Sequence, residues 1–157
     1  MKANGLPLVK VVLRVVSEGE EEVETPWAKQ LGPSEFQLDN IPSHAYGIST
    51  DDVFEALPTA DDPRPHFVRV LHKSGNRTVR VVLRPPSNES EASMAVLRRL
   101  KELGCTYEGM NHSYFAVNIP PEAEFHAVTA FLTDAGLTWE HADPTYEALH
   151  GTVRDDN

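Results

Sequence analysis

Gly104-Cys105-Thr106-Tyr107-Glu108 returns 32 residues later as Gly136-Leu137-Thr138-Trp139-Glu140. Each glycine closes an apolar stripe at helical spacing: Val96, Leu97, Leu100 and Leu103 before the first, Phe125, Val128, Leu132 and Ala135 before the second. Glycine ends helices because it enters the left-handed region without a Cβ clash. A Thr-aromatic-Glu segment then opens a strand in both copies. Asn88 with Glu91 supplies a helix N-cap and capping-box pattern for the first helix, and Pro120-Pro121 precedes the second. Between the helices Phe115, Val117 and Ile119 alternate as a strand, with Gly109 to His112 turning into it. Strand, helix, stop and strand, twice over, predict a ferredoxin-like split βαβ half across residues 77–143. Its four antiparallel strands carry both helices on one face. Leu97, Leu100, Val128 and Leu132 are expected to face Val81, Phe115 and Val117.

Working outward, residues 1–76 carry strand signals only. Val9, Val11, Leu13 and Val15 alternate with Lys10, Val12, Arg14 and Val16, which predicts one strand with a strongly apolar face. The run Glu18, Glu20, Glu21, Glu22 and Glu24, broken by Gly19, reads as a solvated turn. Short apolar segments at Val23 to Lys29, Phe36 to Leu38 and Val53 to Leu57 are separated by Gly32-Pro33-Ser34, Asp39-Asn40, Pro42-Ser43 and Gly47. The expectation is a small twisted β-sheet or partly closed barrel, making the whole chain α+β. His66 to Lys73 and Arg77 to Arg84 read as two strands flanking Ser74-Gly75-Asn76, either a hairpin or the joint between the halves. Residues 144–157, ending Arg154-Asp155-Asp156-Asn157, read as a frayed tail.

The 157 residues fit one domain or two small subdomains, and a core of that size needs no disulfide or metal. The single cysteine, Cys105, excludes an intramolecular disulfide, as in a reducing compartment. Met1 to Leu8 has no apolar stretch of signal-peptide length and no run is long enough to span a membrane, so the expected location is cytoplasmic. The net charge of −10 disfavours general nucleic-acid binding. That charge is uneven: between Pro63 and Asn88 there is no acid, while Arg64, Arg69, Lys73, Arg77, Arg80 and Arg84 are basic. Eight Lys and Arg are then left against all 24 acids, a balance of −16. The basic stripe pairs with the chain's own carboxylates or holds an anionic ligand.

Trp27-Ala28, Phe36-Gln37-Leu38-Asp39-Asn40-Ile41-Pro42, Gly47, Asp52-Val53 and Val79-Arg80-Val81 resemble a bacterial family of small proteins that carries a domain of unknown function. Leu103-Gly104-Cys105 and Val117 to Pro121 fit the same pattern. The resemblance runs from about Val9 to Glu140 and is most specific at Leu38-Asp39-Asn40-Ile41-Pro42. It implies one architecture through both halves, and no activity, substrate or catalytic residue.

Motifs for chemistry are absent: no Gly-x-Ser-x-Gly, no phosphate loop, no His-Glu-x-x-His and no Cys-x-x-Cys. None of the seven histidines forms a close His-x-His or His-x-x-x-His pair, and His66 and His72 stand about 20 Å apart along a strand. No metal, cofactor or catalytic residue is expected. Cys105 reads as a buried apolar residue rather than a nucleophile. Asp39, Asn40, His44 and Asp52 lie in the most polar loop, which reads as tight-turn chemistry before it reads as a ligand loop. Together with Arg69, Arg80 and Arg84 they form the candidate anion or ligand site. Tyr107, Trp139, Trp27 and Tyr114 could form a base-stacking platform, but Glu108 and Glu140 beside two of them favour core packing.

The leading expectation is a non-catalytic interaction protein, an inhibitor or immunity-type partner of a basic protein. Glu18, Glu20, Glu21, Glu22 and Glu24 form its partner-binding surface. A small-anion or metabolite sensor is the alternative, and an enzyme using the Asp39 to Asp52 loop comes third. No membrane is expected as partner, nucleic acid is disfavoured, and a homodimer is compatible with either of the first two readings.

Overall fold

The computed structural model describes residues 2, 3 and 5–151. The chain divides into two compact units, residues 1–76 and 77–157, each with its own buried cluster. The architecture is α+β, with mostly antiparallel sheets and, among the described residues, three short helices.

The first unit runs β1 (Lys2–Ala3), β2 (Leu6–Lys10), β3 (Leu13–Ser17), β4 (Glu20–Glu24), β5 (Trp27–Gln30), β6 (Glu35–Leu38), β7 (Val53–Leu57) and β8 (His66–His72). Six of these pair in the order β1-β2-β5-β6-β7-β8, while β3 and β4 form a separate two-stranded sheet. Among the described residues no closed barrel forms; a parallel bridge, Val12 to His66, ties β8 to the chain between β2 and β3. The alternating run from Val9 to Val16 is therefore two strands, not one. At the break the N–H of Val11 donates to the Pro26 carbonyl (3.0 Å) and that of Val12 to the Pro65 carbonyl (2.8 Å), so the chain changes neighbours without exposing its apolar side. Val11, Leu13 and Val15 stay in the core with Phe36, Leu38, Ile48 and Phe54.

The acidic run is not a solvated turn. It is strand β4, in register with β3 from Leu13 opposite Glu24 to Ser17 opposite Glu20. The turn is only Glu18-Gly19, both at positive φ (53° and 81°), the region two-residue hairpin turns require. Glutamate is a poor strand former, and the apolar partner strand overrides that preference by supplying the ladder.

The second unit runs β9 (Arg77–Val82), α1 (Glu91–Glu102), β10 (Thr106–Gly109), β11 (Tyr114–Ile119), α2 (Phe125–Asp134), β12 (Thr138–Asp143) and α3 (Tyr146–His150). Its four strands lie in the order β10-β11-β9-β12, every neighbouring pair antiparallel. Leu97 and Leu100 of α1 and Val128 and Leu132 of α2 share one cluster with Val79, Val81, Phe115 and Val117, alternate residues of β9 and β11. Burying one such leucine contributes about 1.5–3 kcal/mol, which makes the two stripes the main adhesive of this unit. Gly104 and Gly136 end their helices at φ of +97° and +70°. The N-cap of α1 is Ser90 and not Asn88: its side chain accepts from the Ser93 N–H at 3.1 Å.

β8 and β9 do not pair, so Ser74-Gly75-Asn76 is a joint between sheets and no hairpin. The stretch read as a frayed tail contains α3, capped by the Thr145 hydroxyl; Arg154 to Asn157 lie outside the described residues. Among the described residues no helix is long and apolar enough to cross a membrane.

Candidate functional site

The polar loop ties the first unit together. Asn40 accepts from the Trp27 N–H (2.6 Å) through Oδ1, and the Asp39 N–H donates to the Trp27 carbonyl (2.9 Å), which fixes the start of β5. Asp52 is wholly buried. Its Oδ2 accepts from the Ser49 N–H (2.9 Å) and from Lys73 Nζ (2.5 Å), and its Oδ1 from the Ser74 N–H (2.7 Å). Ser74 Oγ and Asn76 Nδ2 both donate to the Thr50 carbonyl (2.7 and 3.0 Å), fastening the end of the unit to the same loop.

Glu24 works in the same way. Its carboxylate accepts from three successive backbone N–H groups, Ser43 (2.9 Å), His44 (2.9 Å) and Ala45 (2.6 Å), and from the Ser43 hydroxyl (2.9 Å). Consecutive N–H groups make an anion-binding cradle, and here the chain's own glutamate fills it. The His44 ring reaches the neighbouring Glu22, its Nε2 3.3 Å from that carboxylate.

The basic stripe is divided between the units, with Arg64, Arg69 and Lys73 in the first and Arg77, Arg80 and Arg84 in the second. Arg64 pairs with Asp62 (2.7 Å), and its hydrogen bonds hold that carboxyl well below the usual carboxylate range. Arg69 Nε meets Glu55 at 3.0 Å, and the buried Arg80 meets Glu140 at 2.9 Å. The Arg77 guanidinium sits 4.7 Å above the Phe125 ring. Arg84 is exposed.

On the hairpin of β3 and β4, Glu18, Glu20, Glu21 and Glu22 are exposed, and Arg14 donates to Glu21 (2.9 Å). Leu13 and Val15 point into the core, which leaves Val16 and Val23 outward at 71% and 50% exposure. Beside them opens a cavity of about 230 Å³, lined by Leu13, Val15, Ala45, Tyr46, Ile48 and Phe67 among others.

A second, larger hollow was not read from the sequence. It measures about 590 Å³ and lies between α2, β12 and α3, with Phe125, Trp139, His141 and His150 in its wall. His141 is the hub of a ring cluster, its centroid 4.7 Å from Trp139, 6.0 Å from Phe125, 5.9 Å from Tyr146 and 6.4 Å from His150. Burial first, and the neighbouring His150 second, push its pKa down. The only hint in the sequence was two histidines nine residues apart around Asp143-Pro144. Cys105 is buried and its thiol is pushed up to about 11 by burial, so it is no nucleophile at neutral pH. Among the described residues no group of three or more His, Cys, Asp or Glu is placed to hold a metal ion.

The model of a family described as a domain of unknown function (DUF4265) matches residues 24–141. The chain belongs to this family. The matched span begins at the cradled Glu24, takes in Asp52 and Arg80, and ends at His141, before α3. Among solved structures, a hypothetical protein from Neisseria gonorrhoeae superposes with a TM-score of 0.71 at 18% identity, over 85% of this chain and 93% of that one. At that identity the likeness is one of fold. No curated protein matches the chain.

Proposed function

We propose that the protein is a non-catalytic interaction module whose β3–β4 hairpin docks onto a basic protein, as an inhibitor or immunity-type partner does. The observation that carries this is the outer face of the hairpin, where Val16 (71% exposed) and Val23 (50% exposed) share one side with Glu21 and Arg14, below the exposed Glu18 of the turn, while Glu20 and Glu22 are exposed on the side of Val15. Apolar side chains at the centre of a charged ring are how interface anchors and rims are arranged. The carboxylates would steer a cationic partner, and the 230 Å³ cavity beside Val16 would take one of its apolar side chains. The anion-sensor reading has less support, because Arg64, Arg69, Lys73 and Arg80 already meet carboxylates of this chain. The second unit we read as a ferredoxin-like scaffold, on the element order β9-α1-β10-β11-α2-β12 and the strand order β10-β11-β9-β12. The lone thiol of Cys105 supports a reducing, cytoplasmic setting.

The test is affinity capture from the native bacterium at low and high salt. Wild-type protein should recover one basic protein at low salt and lose it at high salt, since screening falls to about 8 Å at physiological ionic strength. Glu18→Lys with Glu21→Lys should abolish recovery, while Glu89→Lys in the second unit should not. Recovery of no basic protein, or equal recovery by the hairpin variant, contradicts the proposal.

A further inference from the structure

We propose, resting on the hairpin as the docking face, that the partner binds through an extended segment of its own chain. The segment adds as a strand to the open edge of β3 and lowers one apolar side chain into the cavity of about 230 Å³. β3 and β8 start side by side: the Val12 N–H donates to the Pro65 carbonyl (2.8 Å), and the Phe67 N–H donates to the Val12 carbonyl (2.9 Å). That parallel ladder stops after one bridge, and β3 goes on paired with β4 on its other side. Backbone groups point to alternate sides along a strand. Those of Leu13 and Val15 therefore turn to β4, and those of Arg14 and Val16 turn as Val12's do, toward the open edge. Among the described residues neither Arg14 nor Val16 has a backbone hydrogen-bond partner on that edge. Both are exposed, Val16 at 71%. Unpaired N–H and C=O groups of this kind are a template for another strand.

The cavity lies along the same edge. Its wall comes from β3, from Phe67 of β8 and from Ala45, Tyr46 and Ile48, and among the described residues none of it comes from β4. A strand laid beside β3 turns alternate side chains to each face, so one enters the cavity while its neighbours stand outward beside Val16. Charge sets the composition of the segment. The hairpin exposes Glu18, Glu20, Glu21 and Glu22, and its one basic residue, Arg14, already pairs with Glu21 (2.9 Å). An apolar residue set between lysines or arginines is the complement of that surface.

The probe is the acetylated and amidated peptide Lys-Val-Lys-Leu-Lys-Val-Lys, added to the full-length protein and followed by calorimetry and by amide hydrogen exchange in NMR. At saturation the Arg14 and Val16 amides should exchange at least about tenfold more slowly, while those of Leu13 and Val15, already turned to β4, should not change. Replacing the peptide's leucine with alanine should weaken binding about tenfold. N-methylation of alternate peptide residues separates strand addition from attraction by charge alone. Methylating the set whose N–H groups face β3 should abolish binding, and methylating the other set should leave it. No binding, binding without protection of residues 14 and 16, or equal effects of the two methylated sets overturns the proposal. Protection of the same two amides in the protein alone as its concentration rises would assign the edge to a second copy and overturn it too. Affinity capture that succeeds while the peptide fails leaves the docking face standing and removes strand addition alone.

Discussion

In the loop from Asp39 to Asp52, carboxylate and amide oxygens end on the chain's own N–H groups, while around His141 rings crowd a nitrogen that ends on nothing. The loop is by far the more polar of the two regions, and it is the one with least left to offer a ligand. Polar density therefore locates backbone work as readily as a site. What separates them is whether the hydrogen bonds are already made.

The largest effect should come from the frame that holds the hollow. Leu100 of α1 is fully buried, and Leu100→Ala should cost about 2–5 kcal/mol in denaturant unfolding. A loss below about 0.5 kcal/mol would mean that α1 does not bury this stripe. On the loop side, Asp52→Ala strands three donors in a buried position and should cost about 3 kcal/mol. A neutral result would break the contrast by showing that the loop is not a structural tie. Glu24→Ala should cost less, about 1–3 kcal/mol, because its carboxylate is only partly buried and water can enter the cradle.

His141→Phe should be nearly neutral, within about 0.5 kcal/mol, since it removes an unsatisfied nitrogen and keeps the ring packing. It should also flatten the pH dependence. The folded pKa of His141 lies below its ordinary 6.5, so the unfolded chain binds the extra proton first. Stability contributed by the neutral ring is thus whole above that value and is lost as pH falls below it. Wild-type protein should lose midpoint temperature on acidification below pH 6.5 more steeply than the variant. Parallel profiles would show that another group drives the loss.

Much of the second unit was legible because burial there is periodic and local. The stripes of α1 and α2, their two glycine stops and the alternation in β11 can each be read within a dozen residues. The first unit was less legible, because its decisive contacts join distant residues. Lys73 reaches back 21 residues to Asp52, and Glu24 reaches forward to the N–H groups of residues 43–45. Four glutamates in five residues carry no strand signal; β4 exists because β3 lies opposite. The five-residue α3 has Tyr146 and Leu149 exposed and no apolar stripe, so neither it nor the His141–His150 meeting could be anticipated from spacing. The candidate loop was found but could not be sorted, since tight turns and ligand loops draw on the same residues.

We propose the outer face of the hairpin, with Val16, Glu21 and Val23, as the docking surface. It is tested most directly by placing a photo-crosslinking residue at Val16 in the native bacterium, with Glu89 of the second unit as control. Position 16 should give one discrete adduct with a basic protein, lost when Glu18 and Glu21 are reversed to lysine, and position 89 none. Absence of an adduct at position 16, or the same adduct from both positions, would contradict it.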